Sequence, residues 1–315
     1  RRNGVTGLEK QHIGYENGVL GGVVSALNCV CSRGDKVLVH SPTYIGFTRC
    51  LENNGYDIVH SPLVQDENGV WRMDFADMEK HLAEEHIHAA ILCSPHNPCG
   101  RVWERWELEK AMELFKKYNV YVVSDEIWSD IILSGHKHIP TQSISEDARQ
   151  RTAAFYAPSK TFNLAGLQAS TAVFPNAHMK AMFDKFWTDM DIHRNNAFSV
   201  TAMEVAFNEG EEWLEQLLPY ISANFDFVVD YCEKHIPKIR TYAPDATYLM
   251  WLDCRDLGLS SEALHDFMIR KAKLGLNDGC AFGRSLNGYM RLNAACPRSV
   301  LEQAMRQLEA AVNSL

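Results

Sequence analysis

Short apolar, β-branched runs alternate with amphipathic stretches through the first half of this chain. Val37–His40, Asp57–His60, Ala89–Leu92, Val120–Ser124, Thr152–Tyr156 and Ser170–Phe174 each read as a strand, and the segments between them carry helical spacing. Strands covered on both faces lose the usual polar alternation, so runs this continuous predict βαβ units and a mostly parallel sheet. Beyond Phe174 the period turns helical, over Met179–Met190, Phe198–Asn208 and Glu211–His235, the last long enough to bridge two units. Strands Tyr248–Asp253 and Tyr289–Asn293 and helices Ser261–Leu274 and Arg298–Val312 complete the pattern. It predicts an α/β fold: a large domain over residues 1–209, with helices flanking a mostly parallel central sheet, and a smaller α+β domain over residues 210–315. Near the start, Gly21-Gly22 opens a helix that runs through Cys31.

Composition narrows the function classes. A net charge of -9 and an isoelectric point near 5.8, with no basic stripe, argue against a nucleic-acid partner. No apolar stretch is long enough to span a bilayer and no signal peptide is read, so no membrane association and a cytoplasmic location are expected. Nine cysteines, mostly in apolar or motif contexts such as Cys93, Cys232 and Cys296, read as reduced thiols. There is no Cys-x-x-Cys pair, and His86-Ile-His88 and His136-Lys-His138 lack partner ligands at zinc spacing, so no metal is expected.

Candidate chemistry gathers where the strand-like runs end, which is where a parallel sheet delivers functional groups. Tyr44 follows the first run in Ser41-Pro-Thr-Tyr44, and Asn97 lies in Ser94-Pro-His-Asn-Pro98. Asp125 closes Val120–Ser124, while Ser159 and Lys160 lie in Tyr156-Ala-Pro-Ser-Lys-Thr-Phe-Asn163. A lysine amine holds an aldehyde cofactor as a Schiff base and later shuttles a proton. An aspartate against a pyridine nitrogen keeps the ring protonated and strengthens its electron sink. An asparagine amide donates to the ring's phenolate oxygen, and a tyrosine stacks on its face. Ser159 with the backbone amides of Gly22, Val23 and Val24 suits a phosphate.

Singly, each residue has an ordinary reading: Asp125-Glu126 as a strand-end acidic pair, Asn97 as a turn initiator, Tyr44 as core, Gly21-Gly22 as a loop. As an ordered set they predict a pyridoxal 5'-phosphate site with Lys160 and Asp125 catalytic. On this reading Asp125→Ala is costly and Glu126→Ala is expected to be mild.

The segments Gly22-Val-Val24, Ser94-Pro-His-Asn-Pro98, Ser124-Asp-Glu-Ile127, Ser159-Lys-Thr-Phe-Asn-Leu-Ala-Gly166 and Tyr289-Met-Arg-Leu-Asn-Ala-Ala-Cys-Pro-Arg298 resemble the fold type I pyridoxal phosphate enzymes over essentially the whole chain. Within them they are most similar to the cystalysin-like carbon–sulfur β-lyases related to cystathionine β-lyase. The resemblance implies that Arg291 binds the substrate α-carboxylate, a role its forked guanidinium suits, and leaves Arg298 to bind backbone or solvent.

Two departures from the aminotransferase pattern favour the lyase branch. Gln168 stands eight residues after the lysine, where many aminotransferases place an arginine, and Trp128 stands where many have a tyrosine. Indole donates one hydrogen and accepts none, so contact of Trp128 with the cofactor and simple packing both stay open. The implied activity is cleavage of cystathionine or a related cysteine S-conjugate to pyruvate, ammonia and a thiol. The alternatives are an aminotransferase, or a regulatory or binding protein on the same fold. The resemblance further implies a homodimer, and several tens of residues ahead of the phosphate loop that wall the pocket and lend a tyrosine to the neighbouring subunit. The sequence opens at Arg1-Arg2, close to that loop.

Overall fold

The computed structural model describes residues 2–133, 135–192 and 195–315. In chain order the first elements are β1 (Ile13–Glu16), α1 (Val19–Val30), β2 (Lys36–Ser41), α2 (Ile45–Asn54), β3 (Asp57–Gln65), β4 (Trp71–Met73) and α3 (Phe75–Glu84). They are followed by β5 (Ile87–Cys93), α4 (Arg105–Lys117), β6 (Tyr121–Asp125), α5 (Glu146–Arg151), β7 (Thr152–Tyr156), α6 (Pro158–Thr161), β8 (Ser170–Val173), α7 (Ala177–Asp189) and α8 (Ser199–Glu209). The last stretch holds α9 (Glu211–His235), β9 (Arg240–Thr241), β10 (Leu249–Asp253), α10 (Ser261–Arg270), β11 (Asn277–Asp278), β12 (Tyr289–Asn293) and α11 (Arg298–Val312).

Eight strands form one sheet in the order β1-β8-β7-β6-β5-β2-β3-β4. The inner strands β3, β2, β5, β6 and β7 run parallel, whereas β8, β1 and β4 pair antiparallel at the flanks. This is the α/β class that the apolar runs imply, and all six expected strands are present. The short flanking strands were not expected. β4 has too few residues to show a period, and β1, Ile-Gly-Tyr-Glu, carries a glycine and an exposed isoleucine. Helix α10 ends earlier than its apolar pattern, because Lys273 takes a left-handed backbone at φ 58 and breaks the helical run before Leu274.

Alternation along the parallel strands feeds two cores. On β2, Val37 and Val39 face α1 and α7, while Leu38 faces the opposite layer with Leu92, Trp103 and Phe115. Helix α1 is seated by Glu16, whose buried carboxylate accepts from Asn17 N at 2.8 Å, Ser25 Oγ at 2.6 Å and Trp187 Nε1 at 3.0 Å. One residue thereby joins β1, α1 and α7.

A second sheet, β11-β12-β10-β9, is wholly antiparallel. Its Trp251 and Tyr289 pack with Phe282 and Leu286 into the outer core of the large sheet. On its other side Met250, Leu252 and Leu292 pack with Phe225, Val228 and Cys232 of α9, in a cluster that also takes in Trp128, Ile131 and Leu133 from the segment after β6. The end of β6 is thus held between both sheets. No helix among the described residues is long and apolar enough to cross a membrane.

Gly22 belongs to this packing. A Cβ there would collide with the ring of Phe155 on β7, so Gly22→Ala is expected to force α1 off the sheet. The expected loss is about 1–3 kcal/mol, read as a lower denaturant midpoint; an unchanged midpoint would show that the helix has room to shift.

Candidate active site

Asp125 and Glu126 leave the carboxyl end of β6 on opposite faces. Asp125 is 4% exposed and lines a cavity of about 370 Å³. Its Oδ1 accepts from Ile127 N at 3.0 Å. Burial pushes its carboxyl up from the ordinary 3.8 to about 6, against the opposing effects of the Ile127 amide and the Lys160 charge.

Glu126 faces away from the cavity and is 0% exposed. It accepts from Ser124 Oγ at 3.0 Å, Thr141 N at 3.0 Å and Tyr156 Oη at 2.7 Å, and pairs with His138 Nε2 at 2.8 Å. Burial opposes its ionisation, yet these partners, His138 foremost, hold it below the ordinary carboxylate value. To a change whose effect on turnover was expected to be mild, Glu126→Ala, the structure adds a cost in stability. That change would leave four polar groups around a buried void.

Lys160 is delivered by α6, directly after β7, with Ala157 extended and Pro158 in the first helical turn. Burial lowers its proton affinity; Asp125 opposes that effect and the charge of Arg291 adds to it. Its Nζ lies 5.6 Å from the centroid of the Trp128 ring, which meets Tyr248 edge-on at 4.7 Å. Trp128 both lines the cavity and packs in the core, so the packing role expected for it is present.

The anion end differs from expectation. Gly22, Val23 and Val24 do not line the cavity; Asn17, Gly18, Val19, Leu20 and Gly21 do, with Ser159 and Gln168. The N–H of Gly22 is already bonded to Gly18 O at 3.1 Å. A helix leaves only its first amides unbonded, which here are those of Val19, Leu20 and Gly21. The turn whose amides are open at the cavity thus lies toward the amino terminus of the expected one.

Tyr44 and Asn97 both line the cavity, Tyr44 from the amino end of α2 and Asn97 from the turn after β5. Arg291, in the middle of β12, reaches it from the small sheet. Its Nη1 donates to Asn97 Oδ1 and its Nη2 to Asn277 Oδ1, each at 2.9 Å, and its guanidinium lies 4.3 Å from the Phe282 ring centroid. Its Nε is buried without a partner, and burial lowers the guanidinium to about 10. Because Asn97 accepts through oxygen, its amide nitrogen remains as a donor. Arg298 is spent elsewhere, donating to Asn224 Oδ1 and Ala223 O across α9.

Sequence reading missed Tyr248, Asn277 and Asn293. Asn293 ends an expected strand, and the strand-end rule that found Asp125 would have found it. Asn277 sits on a two-residue strand with no periodic signal.

Comparison with known proteins adds ancestry to this geometry. The family model described as aminotransferase class I and II matches residues 2–308. The chain is 39% identical to cystathionine beta-lyase PatB of Bacillus subtilis, over 97% of this chain and 79% of PatB. It is 30% identical to the protein MalY of Escherichia coli, over 98% of this chain and 79% of MalY. The crystal structure of cystalysin from Treponema denticola, which contains pyridoxal 5'-phosphate, matches with a TM-score of 0.93 at 32% identity, over 98% of this chain and 78% of cystalysin.

The raised Asp125 carboxyl carries a signed prediction. Its folded-state value, about 6, lies above the ordinary 3.8, so its contribution to stability is full below about pH 4 and is lost as pH rises through 6. In ligand-free protein Asp125→Asn lacks this loss, and its stability relative to wild type should grow by up to about 3 kcal/mol between pH 4 and 7. Urea melts across that range check it; a difference that stays flat with pH would contradict the raised value. Glu126→Ala should instead lose about 3–5 kcal/mol in the same melts at pH 7.

Proposed function

We propose, starting from a chain that belongs to the class I and II aminotransferase family, that the cavity holds pyridoxal 5'-phosphate and that the protein is a carbon–sulfur β-lyase. Its substrates are cystathionine or related cysteine S-conjugates, cleaved to pyruvate, ammonia and a thiol. The observation that carries this reading is Asp125, a buried carboxylate with raised proton affinity beside the depressed amine of Lys160. Such a pair suits a protonated pyridine nitrogen and an aldehyde. The rest of the donor set fits the same group. The open amides of Val19, Leu20 and Gly21 with Ser159 suit a phosphate, the spare amide hydrogens of Asn97 a phenolate oxygen, and the Tyr44 ring a planar face.

When bound, pyridoxal phosphate supplies a conjugated sink for the electrons left on the substrate's Cα. Arg291, which lines the cavity from the small sheet, orients the substrate by pairing its guanidinium with the α-carboxylate. Lys160, half-buried and less basic than an exposed amine, takes the Cα proton. Asp125 would hold a negative charge toward the ring nitrogen, and Trp128 and Tyr248, which line the same cavity, limit its water. With a thiolate leaving group on Cβ, elimination follows removal of that proton.

The same residues suit amino transfer, the activity in the family's name. Gln168 in place of a phosphate-pairing arginine and the likeness to PatB favour the lyase. Exposed apolar side chains from Phe198, 75% exposed just ahead of α8, through Val205 and Phe207 on α8 to Trp213 on α9 support a homodimer formed through this region. We place the domain boundary between residues 209 and 210, where α8 passes into α9. The nine free cysteines support a reducing, cytoplasmic setting.

Lys160→Ala should fold and yet lose borohydride-reducible attachment of pyridoxal phosphate; a reducible adduct persisting in that variant would remove Lys160 from its role. Cofactor-loaded wild type should release pyruvate and thiol steadily from cystathionine with no 2-oxo acid added. If product instead requires a 2-oxo acid and amino groups appear on it stoichiometrically, the aminotransferase reading stands.

A further inference from the structure

We infer that Glu126 is a positioning residue for the proposed reaction, clamping from behind the sheet the two strand ends that carry Asp125 and Lys160. The inference rests on the reading of this cavity as a pyridoxal phosphate site. Neither the lining of the cavity nor the motif spacing assigns Glu126 a role, because its side chain does not enter the cavity.

The connections are specific. Glu126 is the residue after Asp125, and its own N–H donates to Phe155 O at 2.9 Å, extending the β6–β7 pairing by one bond beyond Asp125. Its carboxylate then takes Tyr156 Oη at 2.7 Å, the last residue of β7. From Tyr156 the chain reaches Lys160 through Ala157, Pro158 and Ser159, with the proline ring restricting one of the backbone rotations. A displacement of Tyr156 is thus passed to Lys160 with little slack.

The remaining acceptor positions hold Ser124 on β6 itself, and His138 and Thr141 from the loop that covers this side. Four donors from three segments converge on one carboxylate, and that convergence removes its freedom to rotate. The strand's alternation aims Asp125 into the cavity because Glu126 is anchored on the other face.

There is also an electrostatic consequence. The Glu126 charge, one residue away, raises the proton affinity of Asp125, while Lys160 lowers it. Glu126 therefore acts on the cofactor's ring nitrogen through Asp125, without touching it.

A role confined to stability would change the melting temperature and nothing else, so the test reads the cofactor. In the full chain Tyr156→Phe keeps the ring and removes a single donor from Glu126. The expected result is a folded protein whose dissociation constant for pyridoxal phosphate, by fluorescence titration, rises roughly tenfold. Its visible band should shift, and kcat should fall while KM for cystathionine, set by Arg291, stays near wild type. His138→Gln, which retains a donor toward Glu126, should show a smaller change than His138→Ala.

Wild-type cofactor affinity and spectrum in Tyr156→Phe would overturn the clamp. If Tyr156→Phe does not fold, the same readings on His138→Ala decide the matter. Failure of the wild-type chain itself to bind pyridoxal phosphate would instead overturn the functional reading, and this inference with it.

Discussion

Two carboxylates are buried at the end of one strand, and how each charge is compensated governs the rest of the molecule. A buried ion is tolerated only when partners replace its water. Glu126 has a full set of partners built into the fold, drawn from β6, β7 and the covering loop. Asp125 has one backbone amide and the nearby Lys160. The fold has thus surrounded one acid with partners and given its neighbour, which faces a cavity, fewer. A buried acid with few partners is a cost to the folded protein.

The walls of that cavity come from parts of the chain far apart in sequence, and shared packing keeps them in register. Trp128, two residues beyond Glu126, lies in the same cluster as α9 and the small sheet, while Trp251 and Tyr289 of the small sheet enter the core of the large one. Arg291 consequently arrives with little freedom: both terminal nitrogens are held by asparagine oxygens and its plane rests on Phe282. Only Nε is left without a partner. A cation held this way is presented to the cavity in one orientation.

The likeness to lyases and the family's aminotransferase name are compatible in physical terms. Both chemistries begin with removal of a proton from the substrate's Cα, and they part at the leaving group and at the fate of the electrons. What separates them lies in the details of the site, because one fold hosts many reactions. Gln168 is such a detail. It takes a left-handed backbone at φ 49, bonds Ala165 O and lines the cavity without a guanidinium.

The main strands, a mostly parallel sheet and the residues at the strands' carboxyl ends were legible in the chain, because a buried parallel strand must be apolar throughout and its polar groups stand out where it stops. Tyr44, Asn97, Asp125, Ser159 and Lys160 all reach one cavity for that reason. Local pattern could not say which helical amides stay free: Gly22 looks like a phosphate glycine, but it lies within α1 and its missing side chain makes room for Phe155. Nor could it reveal that Glu126 is consumed by His138 and Tyr156, or that Asn277 restrains Arg291, since these contacts join residues between 12 and 30 positions apart that share no period. Sequence records the propensity of each strand and the chemistry at its end; which polar group finds a partner is settled by long-range packing.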